Sequence, residues 1–239
     1  MKKNLIALGV MLMATLSLTN CMKETQTAPD AVGIPYTIYA GLDEDTKTVN
    51  DGLSTRWAED DTLNVFHTEA GTDWYSENTM FTISDVETGK FETELLIGEL
   101  SAVNDWFVLY PYNSHIISPA NVAAGYLPVG GKAGNPQVQT GNSNMAHIAG
   151  PNYPMWGVAM GVESQELPYV RMTHLSSLVE VVVTNNAGVE AKVKSLSMAA
   201  AEDITGTYYI DFTTDEPTFE SSGDNYVSNV VKLNVAEGE

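Results

Sequence analysis

The sequence predicts an all-β protein built as an antiparallel β-sandwich, and three observations carry that expectation. From Tyr36 onward, short β-branched and aromatic runs recur between clusters of Gly, Asn, Asp and Pro. Two runs alternate strictly: Tyr208, Ile210 and Phe212 in one, and Val231, Leu233 and Val235 around Lys232 and Asn234 in the other. That is the period of a half-buried antiparallel strand. Outside the first twenty residues no window offers a long amphipathic helical pattern. Antiparallel sheets with one apolar face must pack face to face to bury it, which gives the sandwich.

Residues 1–20 read as a signal peptide of the lipoprotein kind. Lys2 and Lys3 form a basic start, Leu5 to Leu18 is an uncharged apolar run, and Leu18-Thr19-Asn20-Cys21 follows directly. The run is shorter than the roughly 20 apolar residues a bilayer span needs, so a cleaved signal is expected. Cys21 then becomes the first residue and carries the lipid. Each buried CH2 contributes about 0.8 kcal/mol, so several acyl chains on one residue hold where one would not. Residues 21–33 are polar, lack periodicity and contain Pro29, the composition of a flexible lipidated tether. Lys23-Glu24 within it reads either as part of a surface-export signal or as ordinary polar tether.

The expected strands are Tyr36–Ala40, Leu63–Phe66, Met80–Ile83, Lys90–Glu94, Trp106–Tyr110, Met155–Met160, Ser177–Thr184, Lys192–Ala199, Thr207–Phe212 and Val227–Val235. They divide into an N-terminal sandwich domain over residues 34–175 and the start of a second over 176–239. Asn185-Asn186-Ala187-Gly188 has the length and composition of a hairpin loop, which predicts that Ser177–Thr184 pairs with Lys192–Ala199. Between Pro111 and Pro154 the chain is rich in Gly, Asn, Pro and Ser, which predicts a long surface loop or a strand-poor edge excursion.

Charge excludes one class of function. Loss of residues 1–20 removes Lys2 and Lys3 from the 11 basic residues and no acid, leaving 31 acidic against 9 basic and a formal balance of −22. A phosphate backbone is repelled by such a surface, because nucleic-acid affinity comes from Lys and Arg displacing counterions. The acidity reads as solubility, with divalent-cation binding as the sharper alternative. The 219 residues from Cys21 onward suffice for one large domain or two small ones. With the sole cysteine lipidated there is no disulfide, so stability rests on core packing.

Catalytic signatures are lacking. His67, His115, His147 and His174 are not at metal-motif spacing and read as surface or strand-end residues. There is no Gly-x-Ser-x-Gly elbow, Walker loop or Rossmann glycine pattern, and no thiol beyond Cys21. The expectation is a protein that is not an enzyme and needs no cofactor or metal. Asp43-Glu44-Asp45 and Glu59-Asp60-Asp61 read as solvated turns, with calcium as the competing reading. Trp57, Trp106 and Trp156 sit in or beside apolar runs and read as core. Trp74-Tyr75 lies in a polar loop and is the candidate ligand contact, an aromatic platform for a sugar ring.

The order of several landmarks resembles the fimbrillin-like surface lipoproteins of Bacteroidota, the group that includes type V pilus subunits. Lys47-Thr48 and then Arg56-Trp57-Ala58-Glu59-Asp60-Asp61-Thr62-Leu63-Asn64-Val65-Phe66 are similar to the family's opening. Phe91, Trp106-Phe107-Val108-Leu109-Tyr110-Pro111, Pro136-Gln137, Met155-Trp156-Gly157, His174-Leu175-Ser176-Ser177-Leu178 and Ile204-Thr205-Gly206 follow in family order. The resemblance spans most of residues 36–235. It implies a pair of transthyretin-like β-sandwich domains, the second incomplete here because family members continue past the region of Val227–Val235. It also implies an outer-membrane lipoprotein at the cell surface, in a fimbrium if assembled, acting in pilus assembly or cell adhesion. Subunits of the family join by donor-strand addition once an N-terminal strand is cut away after a basic residue. Lys47 and Arg56 are the candidates for that cut, Lys47 preferred because its segment is polar while Arg56 adjoins the Trp57 motif. The implied partners are the lipid anchor, other fimbrillin-like subunits and a host or glycan ligand. A surface glycan-binding lipoprotein is the alternative reading.

The first expectation to test is the anchor. Cys21→Ala should move the protein from the membrane to the soluble fraction, since acyl chains on Cys21 are the strong attachment the sequence offers; unchanged fractionation rejects lipidation there.

Overall fold

The structure is a computed structural model that describes residues 33–42, 56–96, 100–120, 127–129, 136–140, 146–148, 152–223 and 227–236. Among the described residues it is all-β apart from the 3-10 turn at Ala146–Ile148. In chain order the strands are β1 (Gly33–Leu42), β2 (Thr62–Glu69), β3 (Thr79–Asp85), β4 (Lys90–Leu96), β5 (Val103–Tyr110), β6 (Leu127–Val129) and β7 (Gln137–Gln139). There follow β8 (Met155–Glu163), β9 (Tyr169–His174), β10 (Ser195–Ala199), β11 (Thr205–Asp211), β12 (Thr218–Ser221), β13 (Val227–Ser228) and β14 (Val230–Val235).

Seven strands form one closed sheet in the order β1-β4-β3-β2-β5-β8-β9, where the sequence had predicted two separate stacked sheets. Closure is made by β1. It pairs antiparallel with β4 from Gly33↔Leu96 to Tyr39↔Lys90, and parallel with β9 from Tyr39↔Tyr169 to Leu42↔Met172. Strand β9 had no counterpart among the expected strands. A closed ladder removes the exposed edges that invite pairing with other chains.

The remaining strands make a sheet of order β10-β14-β7 and another of order β12-β11-β13 in which β6 also pairs with β11. The Gly- and Pro-rich stretch after Pro111 thus supplies two short strands, β6 and β7, paired with β11 and β14 respectively.

Two apolar clusters hold these parts. The barrel interior contains Tyr36, Ile38, Leu63, Val65, Phe81, Phe91, Trp106 and Val108, with the Tyr36 and Trp106 rings stacked at 5.1 Å. Outside the barrel wall Phe66, Phe107, Leu109 and Ile116 pack with Ile210 and Phe212. Strands β2 and β5 serve both clusters, since consecutive residues point to opposite faces. Their register sets Val65 beside Val108 and Phe66 beside Phe107. A strand buried on both faces reads as an unbroken apolar run, which is why Trp106-Phe107-Val108-Leu109 lacks alternation.

The predicted hairpin of Ser177–Thr184 with Lys192–Ala199 does not form. Its turn does: Asn185 Oδ1 accepts from Ala187 N at 2.9 Å, Asn185 Nδ2 donates to Val189 O at 2.7 Å, and Gly188 takes a positive φ of 71°. Residues 177–194 nonetheless carry no strand, and only Ser195–Ala199 extends as β10, paired with β14. Val179, Val181, Val182, Val183 and Val189 all stand exposed. A two-stranded ribbon is marginal unless one face is covered, so local turn chemistry and β-propensity do not suffice.

The outer cluster yields a stability prediction. Phe212 is fully buried against Phe66, the rings at 6.1 Å, and its N–H donates to Pro119 O at 2.9 Å. Phe212→Ala should lower the unfolding free energy by about 3–5 kcal/mol, the usual cost of emptying a buried phenylalanine site, as measured by urea denaturation.

Candidate functional site

The sequence-derived sites fall in three places. Cys21 and Lys47 lie outside the described residues, as does the acidic cluster Asp43-Glu44-Asp45. Arg56 is exposed, immediately before the buried Trp57. Trp74 and Tyr75 occupy the loop from β2 to β3, well removed in sequence from the others.

Trp57 is core, as expected, and it has a second task. Its ring meets Phe91 and Tyr110 edge-on at 5.0 and 5.4 Å, and its Nε1–H donates to the backbone oxygen of Ala40 at 2.9 Å. At the same residue, Ala40 N donates to Gly89 O at 2.8 Å. Gly89 sits at a positive φ of 65°, and a Cβ there would stand 2.3 Å from Ala40 O and 3.0 Å from the indole nitrogen. Glycine is required on both counts. Trp57 and Gly89 together clasp β1 near its C-terminal end.

Within the Glu59-Asp60-Asp61 cluster, Asp61 braces this clasp. Asp61 accepts from Ala58 N at 2.7 Å and from the Tyr110 hydroxyl at 2.8 Å, while its own backbone oxygen accepts from Ile83 N at 3.1 Å. Among the described residues, no three His, Cys, Asp or Glu side chains gather as metal donors. Neither Gly89 nor Ala40 stood out in the sequence. Their role comes from a contact between distant segments that no local pattern records.

The Trp74 loop is a separate feature. Trp74 is 88% exposed, and the loop beneath it is firmly tied. Thr68 Oγ1 donates to Trp74 O at 2.7 Å, Ser76 N donates to His67 O at 2.7 Å, and Ser76 Oγ accepts from His67 N at 3.0 Å. Asp105, itself buried, accepts from Gly161 N at 2.7 Å and Gly71 N at 3.4 Å, joining this loop to β8. Tyr75 turns inward against Phe107, and partial burial raises its phenol above the ordinary value; the hydrogen bond with Thr213 acts the other way, and nearby Asp73, Asp211 and Asp105 carboxylates add to the rise. An indole held out on such a loop offers a flat apolar face to solvent.

The histidines are placed differently from expectation in one respect. His67 is buried, with its ring 5.1 Å from Trp106, because β2 is covered on both faces. His115 is exposed and His147 lies in the 3-10 turn. His174 ends β9, stacked on Tyr153 at 3.6 Å, and burial lowers its pKa from 6.5 to about 4.

No protein-family model matches the chain, and no curated protein matches it. Among solved structures it is similar to a "putative cell adhesion protein" from Bacteroides ovatus ATCC 8483, with 17% identity, 87% of this chain and 76% of that one covered, and a TM-score of 0.48. At that distance the likeness says nothing about what this chain does.

His174 gives a pH dependence with a definite sign. The unfolded chain takes up a proton on this imidazole as pH falls through about 6.5, whereas the folded chain does so only near 4, so the unfolded state binds more protons in that window and stability falls with pH. Urea melts between about pH 7 and 5.5 should show the decline, and His174→Gln should flatten it. A variant keeping the full slope would mean that the buried imidazole is not its source.

Proposed function

We propose that this chain is a lipid-anchored, non-enzymatic cell-surface protein of the fimbrillin-like kind, a pilus subunit or adhesin whose working element is β1. On this reading the closed sheet corresponds to the first transthyretin-like sandwich of the family, and Cys21 holds the protein at the outer membrane. The observation that carries the reading is the position of β1. It pairs with β4 over Gly33–Tyr39 and with β9 over Tyr39–Leu42, and its inward side chains Tyr36, Ile38 and Ala40 are buried in the barrel core. Among the described strands it comes first, and the residues that hold Lys47 and Arg56 follow it in sequence.

Loss of such a strand leaves two unpaired backbone edges beside an apolar slot, a state stable only when another strand fills it. An N-terminal strand with a basic residue just after it is the arrangement that cutting followed by strand addition requires. A glycan-binding role is the second reading, favoured by the exposed Trp74 on its tied loop. Sugar rings stack on such faces.

Limited trypsin treatment, followed by mass spectrometry, should cut first at Lys47, and the clipped protein should form dimers or ladders on native gels or bind a peptide supplied as the missing strand. A clipped chain that stays monomeric and binds no strand removes the subunit role and leaves an anchored adhesin or glycan binder.

A further inference from the structure

The slot filled by β1 does not treat all its positions alike. At Tyr36 and Ile38 the inward side chains are large and lie among other core side chains. At Ala40 the inward side chain is a single methyl, fully buried in the same core cluster as Trp57. There both backbone groups are held from outside the ladder, the N–H by Gly89 O and the C=O by the indole of Trp57. Gly89 cannot be exchanged for a larger residue, because a Cβ on it would collide with Ala40 O. Trp57 is wedged edge-on between Phe91 and Tyr110, and Tyr110 is pinned by its hydroxyl on Asp61.

We infer that Trp57 and Gly89 form a size and register gate: the slot accepts an extended strand of another subunit only where that strand places a small residue at the position of Ala40, with its carbonyl on the Trp57 indole. The inference rests on the strand-replacement reading and names what the replacing strand must look like, an aromatic-x-aliphatic-x-small pattern over positions 36, 38 and 40. Trp57 and Gly89 lie after both candidate cut sites, so they stay with the barrel when β1 leaves and meet whatever enters.

The gate also has something to exclude within this chain. Tyr208-Tyr209-Ile210-Asp211-Phe212 repeats the pattern of Tyr36-Thr37-Ile38-Tyr39-Ala40, with Tyr and Ile matched and Phe where Ala40 stands. Strand β14 offers Val231, Leu233 and Val235, with Val at the third place. Both have the right alternation, and both carry a side chain too large at the gated position. Overfilling a packed site forces side chains off their rotamers and shifts backbone. Here it would also pull the carbonyl from the indole and leave a buried donor unmet.

Two measurements test the gate. In the uncut full chain, Ala40→Val should lower hydrogen-exchange protection of the β1 amides at least tenfold while the outward substitution Thr37→Leu leaves it within about twofold; equal protection in the two variants overturns the gate whether or not strands are ever exchanged. In the full chain nicked once between β1 and Trp57, with both pieces kept, a labelled peptide of Gly33–Leu42 should exchange into the slot. The same peptide carrying Ala40→Phe should bind at least tenfold more weakly, and Trp57→Phe in the protein should narrow that gap. Equal binding of the two peptides overturns the gate. If the native-sequence peptide fails to enter, strand replacement itself is wrong, and the uncut-chain measurement alone decides whether Trp57 and Gly89 police position 40.

Discussion

The antiparallel pair of β2 and β5 is covered on both faces, and each face holds a different part of the chain in place. Inward, Leu63, Val65, Trp106 and Val108 form the barrel core that β1 closes. Outward, Phe66, Phe107 and Leu109 receive Ile116, Ile210 and Phe212. Each of the latter residues is buried because the outer face of the wall gives it an apolar surface to pack on. Apolar burial contributes on the order of 25 cal/mol per Å², and two strands that serve two clusters concentrate that contribution in a few side chains.

Double burial has a polar cost, and Asn64 meets it fully. It lies in the middle of β2 with no exposure, its amide donating to Leu109 O at 3.1 Å and Pro111 O at 2.8 Å, its oxygen accepting from Asn113 N and Asn78 Nδ2 at 2.9 Å each. Both donors and both lone pairs are used, so the group gives back the hydrogen bonds it loses to water. The same contacts fix the turn after Pro111 that brings Ile116 onto the outer cluster. Asp105 does similar work at the other end of β5, tying Gly71 and Gly161. Packing and polar satisfaction are here the same device seen from its two sides.

Two segments show opposite fates for β-prone sequence. Strand β1 has a proline, two glycines and only a few inward side chains, yet it finds partner strands in β4 and then β9 and is clasped by Trp57 and Gly89. Residues 179–183 are almost all valine, remain exposed and form no strand. What separates them is the availability of a partner edge above an apolar surface. Propensity measures fit to a half-buried pleated surface, and without such a surface it decides little.

By itself the sequence determined the all-β class, the position of nearly every barrel strand, the core role of Trp57 and Trp106, and the exposure of Trp74 in a polar loop. Each of these follows from composition and period over a few neighbouring residues. Only the tertiary structure decided that the sheet closes, because closure depends on the parallel pairing of β1 with β9, and β9, Tyr-Val-Arg-Met-Thr-His, is short and carries its charge mid-strand. It decided too that the turn at Asn185 caps no hairpin, that His67 is buried, and that Ala40 and Gly89 form a clasp. Each of these depends on which distant segment supplies the second face or the second hydrogen bond, and local pattern holds no record of that choice.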